Sequence, residues 1–228
     1  MKTDIIAYMT DRLRNFSNCL QADKHKQIAN FPYEDIMNKI RYNSPVILTF
    51  SIIAVGIHLI NSVLISEFTF SYFLVRPTMS LLNPLDYFRL VSHALGHASW
   101  HHLFNNLAYI LLLGPILEEK YGSSAILLMM LLTAFSTGVI NVLIFPTGLL
   151  GASGIVFMLI ILASVVDIRR GSIPLTFVLV AIIFIGTEVF NAFRNDNISQ
   201  MGHIIGGAFG AVFGLRPPRF LRPPRFDL

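Results

Sequence analysis

The sequence predicts an all-α membrane protein, a bundle of six transmembrane helices with both termini on the cytoplasmic side. Three observations lead there. Hydrophobic residues make up 54% of the 228 and charged residues only 13%, with a mean hydropathy of +0.64, a balance unlike that of soluble domains. Apolar runs of roughly 15–22 residues recur along the chain, close to what is needed to cross about 30 Å of hydrocarbon. Threading those runs through a bilayer from a cytoplasmic N-terminus leaves only Arg76, Arg89 and Arg194 of the 17 Lys and Arg outside. That asymmetry is a topology signal. The excess of 17 basic over 13 acidic residues therefore needs no nucleic-acid partner.

Residues 1–44 place Ile5, Ile6, Met9 and Leu13 at roughly helical spacing among charges, which predicts an amphipathic cytoplasmic segment on the membrane surface or against the core. No apolar core of a cleavable signal peptide is present in that stretch. The core domain is expected over 45–215. Its first span opens at Pro45 and runs 46–65, with His58 and Asn61 needing partners inside it. Residues 66–100 mix aromatics, Pro77, Pro84, Glu67, Arg76, Asp86 and Arg89 with apolar residues, too long and too apolar for a free linker. They predict a partly structured segment in the outer interface. Five further spans are expected at 101–117, 124–145, 152–166, 173–189 and 201–215. The tail, 216–228, holds most of a tandem LRPPRF (215–220 and 221–226), a basic Pro-rich end suited to the inner leaflet or to disorder. The single cysteine, Cys19, excludes an intramolecular disulfide.

Polar residues inside spans are where chemistry is to be sought, because each costs free energy unless buried, paired or hydrated. Gly151-Ala152-Ser153-Gly154 opens the fourth span. A serine among small residues at a helix start is either a bare nucleophile or part of a close-packing turn. Depth bears on the choice. At about 1.5 Å per residue, Ser153 lies roughly 21 Å above Asp167, His203 roughly 20 Å above Arg216, and Asn106 roughly 18 Å above Glu118, with His102 one turn further out. The four groups fall in one layer. A serine within reach of an imidazole can act as nucleophile with a general base, and His102 with Asn106, four residues apart on one helix face, can donate hydrogen bonds to an oxyanion. No carboxylate is obviously placed to orient His203, and only Glu188 could be a third member, so a dyad is expected. Gly202, Gly206, Gly210 and Gly214 recur every four residues, a stripe that lets two membrane helices approach closely.

His93, His97 and His101 are also spaced by four, as a metal site on one helix would be. Gly96, Ser99 and Trp100 suggest an irregular stretch instead, no acidic ligand lies nearby, and the HExxH pattern is absent. These histidines are expected to be structural, bonding the segment before the second span. Neither metal nor cofactor is expected.

Three motifs in order, His102-Leu103-Phe104-Asn105-Asn106, Gly151-Ala152-Ser153-Gly154, and Gly202-His203 followed by Gly206 and Gly210, resemble those of the rhomboid intramembrane serine proteases. The resemblance covers roughly 45–215 and looks like the six-span bacterial form. It implies Ser153 as nucleophile, His203 as general base, and His102, Asn106 and the Ser153 amide at the oxyanion, with Gly151 and Gly154 shaping the turn. It also implies supporting roles for Arg89, for Glu118 as a tie between inner helix ends, and for Phe157 against the imidazole. Phe157 stands where bacterial relatives often have Tyr, and Phe88 where Trp is common. The implied activity is cleavage of single-span or polytopic membrane proteins near the outer face of a bacterial plasma membrane. Residues 173–189 and 191–200 are candidates for a moving gate. The rival readings are a non-catalytic rhomboid-like factor that binds membrane clients and a small transporter, the latter expected to show internal repeats that the spans lack.

Overall fold

The computed structural model describes residues 42–168 and 200–215, together with helical positions 175, 178, 179, 182 and 186. The N-terminal segment, most of the expected fifth span, Glu188, the 191–199 loop and the basic tail lie outside the described residues. Among the described residues the chain is helical, and its one β-type pairing is an isolated antiparallel bridge between Val75 and Leu149.

Helix α1 (Pro45–Leu59) starts at a proline, whose missing N–H is no loss in a first turn. It runs into a π-helical turn over Ile60–Leu64. There the Ser62 hydroxyl donates to the His58 carbonyl at 2.8 Å, and the Asn61 side-chain oxygen accepts the Thr69 N–H at 2.9 Å. That second bond starts the short helix α2 (Phe68–Tyr72) under the end of α1. Helix α3 (Pro84–Ser92) is capped by Asn83, whose side chain accepts from Leu85 N–H at 3.1 Å, and it passes into a 3-10 turn at His93–Leu95. Helix α4 (Trp100–Tyr121) is capped by Ser99 through the His102 N–H at 3.2 Å. Gly122, at φ +86°, reverses the chain within one residue into α5 (Ser123–Ile144). Helices α6 (Ser153–Ile168) and α7 (Gln200–Leu215) complete the described bundle.

Residues 45–64 and α5 each have a mean hydropathy of 2.1 and are, among the described residues, the two helical stretches long and apolar enough to cross a membrane. Shorter apolar stretches span Ser153–Ser164 and Gly202–Leu215. Large aliphatic side chains point outward all round: Val63 and Leu64 are each 74% exposed, Leu112 66% and Leu143 75%. Polar groups turn inward, and several hydroxyls on the helices donate to backbone carbonyls one turn back. Ser51 donates to Ile47 O and Thr133 to Met129 O, both at 2.8 Å, and Thr137 to Thr133 O at 2.9 Å. An apolar exterior over a hydrogen-bonded polar interior suits a lipid surrounding.

The apolar runs mark these helices closely; besides the π turn that ends the first, the difference lies in the second. The run expected at 101–117 is a helix of 22 residues that continues through Pro115 and Glu118 to Tyr121. Its C-terminal end is polar because Glu118 has work there. The buried carboxylate accepts the N–H groups of Val46 and Ile47, each at 3.0 Å, so it satisfies two orphan donors and sits at the positive end of α1.

Candidate active site

Ser153 is the first residue of α6, half-buried, directly after Ala152, which is fully buried. The turn that delivers it is pinned by its backbone to the segment between α1 and α4. Leu149 and Val75 exchange N–H···O bonds at 3.0 Å each, Gly151 N–H donates to the His93 carbonyl at 2.9 Å, and Ala152 N–H donates to His97 Nε2 at 3.4 Å. Val156 N–H then bonds Ala152 O at 3.0 Å and the helix begins. Ser153 thus stands where unpaired N–H groups and the helix dipole favour negative charge.

Gly151 has φ +117°, a backbone conformation that disfavours any side chain. A Cβ there would also lie 2.6 Å from Cε1 and 2.7 Å from Nε2 of His102. The His102 imidazole can therefore lie against the turn only because residue 151 has no side chain. One turn along α4, Asn106 is buried, and its side-chain Nδ2 has no hydrogen-bond partner among the described residues.

His203 reaches the site from α7. Its buried imidazole stacks on Phe157, with ring centroids 4.4 Å apart and planes 12° from parallel. Phe157 follows Ser153 by four residues, so the two share one face of α6 and the imidazole lies on that face. The approach is made backbone to backbone. A Cβ on Gly206 would run into the Gly154 carbonyl oxygen, one on Gly210 would stand 2.5 Å from the Met158 carbonyl oxygen, and one on Gly154 would stand 3.2 Å from the Gly202 carbonyl oxygen.

His93, His97 and His101 do not share a helix: one lies in the 3-10 turn, one in the break after it, and one in α4. Two of them reach well beyond the segment that precedes α4. His93 Nε2–H donates to Ala134 O at 3.0 Å, and His97 bonds the serine turn. No group of three His, Cys, Asp or Glu suited to a metal occurs among the described residues. Burial pushes the His93 imidazole down to about 4 and that of His97 down to about 3, so both are neutral. Spacing named these two but could not reveal that they hold the turn before Ser153.

Arg89 and Glu118 sit apart from this cluster. Arg89 bonds Asp86 at 2.5 Å and the Ser71 carbonyl, fastening α3 to α2. The Ser80 backbone N–H, at 3.0 Å, and then Arg89 hold the Asp86 carboxyl below its ordinary range against the opposing effect of burial. Phe88 packs at a tilt against Phe73, with centroids 5.9 Å apart and planes 59° apart.

A helical bundle with an apolar exterior and polar groups turned inward, among them a serine at a helix start, a stacked imidazole and a buried amide without a partner among the described residues, has the build of a membrane-embedded protein. The Rhomboid domain matches residues 84–217, more than half of the chain. The chain belongs to the rhomboid family, which includes intramembrane serine proteases. It is 31% identical over 100 residues to Rhomboid-like protein 11, chloroplastic, of Arabidopsis thaliana, covering 42% of this chain and 36% of that protein. It is 25% identical over 141 residues to Rhomboid protease GlpG of Haemophilus influenzae, covering 57% of this chain and 69% of the relative. The match thus spans little more than a third of the plant relative.

Proposed function

We propose that the chain is an intramembrane serine endopeptidase that cuts transmembrane substrates near the outer face with a Ser153–His203 dyad. In this reading it is a six-span protein of a bacterial plasma membrane with both termini cytoplasmic. The stack of His203 on Phe157, one helical turn from Ser153, carries the reading. The imidazole takes the Ser153 proton as the hydroxyl oxygen attacks the scissile carbonyl, then returns it to the departing amine. Water, deprotonated by the same imidazole, releases the acyl group. The oxyanion is met by the Ser153 backbone N–H, His102 and Asn106. A buried amide donor without a partner costs about 1–3 kcal/mol, and an oxyanion would supply the acceptor that Asn106 Nδ2 lacks among the described residues. Substrate helices must unwind locally, since a carbonyl inside a helix is neither exposed nor free to reach the serine.

The test is a serine-directed fluorophosphonate together with cleavage of a panel of single-span substrates. Wild-type protein should label and cleave, and Ser153→Ala should do neither. A wild type that does not label, or a Ser153→Ala variant that still cleaves, ends the proposal. A client-binding factor would instead retain its full effect on clients in Ser153→Ala and His203→Ala.

A further inference from the structure

We propose that His97 is a positioning residue for the oxyanion site, a neutral imidazole that fixes the turn presenting the Ser153 amide. The inference rests on the protease reading. His97 is fully buried, and both ring nitrogens are committed in a way that defines one tautomer. The Leu95 carbonyl, 3.3 Å from Nδ1, can only accept, so Nδ1 carries the proton. Nε2 is then a bare lone pair, and it meets the Ala152 N–H at 3.4 Å. That bond is longer than the usual 2.9–3.0 Å or so for N–H donors, which leaves it room to shorten as the oxyanion forms beside the neighbouring Ser153 amide.

The ring is itself held from two sides. His58 Nδ1–H donates to the His97 carbonyl at 3.1 Å, and the His58 ring stands edge-on to Trp100 with centroids 4.5 Å apart. On the other side the His97 and His102 rings meet at 5.0 Å, with planes 71° apart. One side chain therefore touches the residue before the nucleophile and the imidazole that leans on Gly151. The turn needs such a pin. Glycine at 151 gives it a free backbone, and donors must lie within a few tenths of an ångström of where the oxyanion forms.

Glutamine and asparagine variants separate positioning from bulk. The side-chain oxygen of Gln reaches about where Nε2 lies, and that of Asn falls one methylene short. Full-length His97→Gln, His97→Asn and His97→Leu would be compared in micelles with a fluorophosphonate, kinact and KI being resolved and thermal unfolding followed in parallel. Leu and Asn should lower kinact by about 10- to 100-fold with KI within about threefold, and Gln should stay within about fivefold of wild type. If His97→Leu does not fold, the Asn and Gln pair decides. Equal kinact in Asn and Gln, or wild-type kinact in all variants, overturns the inference while leaving the dyad intact. A wild type that does not label, run beside Ser153→Ala, overturns the protease reading and this one with it.

Discussion

Two helix junctions in this molecule are built by opposite means. At the N-terminal end of α1, that helix meets α4 through added groups: the Glu118 carboxylate takes two backbone N–H groups of α1, and the fully buried Ile47 fills the space beside Gly114, where a Cβ would come within 2.6 Å of its Cδ1. Nearer the serine, α6 meets α7 through groups left out, with Gly154, Gly206 and Gly210 letting carbonyl oxygens stand where side chains would be. A junction that only has to hold can use a flexible carboxylate. The junction that stacks the His203 imidazole on Phe157 uses backbone, which has no rotamers to spare.

The largest effect should come from refilling the second junction. Gly206→Ala places a methyl on the Gly154 carbonyl oxygen, a backbone atom that cannot turn aside. Parting the helices by about an ångström should cut cleavage by more than about 100-fold and lower stability by about 2–4 kcal/mol. Gly207→Ala is the matched control, since its Cβ would meet Ile161 Cγ1 at an ordinary 3.7 Å. It should cleave like wild type and unfold at the same temperature or higher, which assays and thermal melts of the pair will show.

Asn106 separates activity from stability. Because its amide nitrogen has no partner among the described residues, Asn106→Ala should lower the cleavage rate by about 10²-fold with no loss of unfolding temperature. A fall in stability matching the fall in rate would make Asn106 a packing residue.

The first junction should behave the other way. Glu118→Gln keeps one carbonyl acceptor but loses the charge at the start of α1, and should cost about 1–2 kcal/mol. Fluorophosphonate labelling of the folded fraction should stay within a few-fold of wild type. Labelling that collapses in fully folded Glu118→Gln would erase the contrast between the junctions.

The smallest effect is the acid response of the α2–α3 segment. Asp86 has its folded-state pKa lowered, so its contribution is whole above the unfolded carboxyl value, near pH 4, and is lost as pH falls through the folded value. Asp86→Asn should flatten the stability profile below about pH 4 and leave it unchanged in slope above pH 6.

The helices were legible because lipid enforces a simple rule: an apolar run bounded by charge or glycine is a helix of about that length. The rule failed where a charge belonged to the helix, as Glu118 and Lys120 do at the end of α4, and where the ladder slipped into a π turn at Ile60–Leu64 to aim Asn61 at Thr69. Within the site, Gly151 and the stripe Gly202, Gly206 and Gly210 could be singled out from residue type and spacing alone. The tie from His97 to Ala152 spans 55 residues, and no local period encodes a contact at that range. The same holds for His93 and Gly151. Histidines at i, i+4, i+8 would share one helix face, but Gly96, Ser99 and Trp100 predict an irregular stretch, and the break at Gly96 does send each elsewhere; it is itself crowded, with Leu150 Cδ1 only 2.6 Å from where a Cβ would be.

The central claim is that Ser153 and His203 act as one unit. Cleavage rates of a single-span substrate by purified wild type, Ser153→Ala, His203→Ala and the double variant measure that directly. Residues that work together fail together, so both single variants and the double variant should fall to the same background. A His203→Ala variant that retains most of the wild-type rate, or a double variant slower than either single variant by the product of their losses, would contradict the dyad.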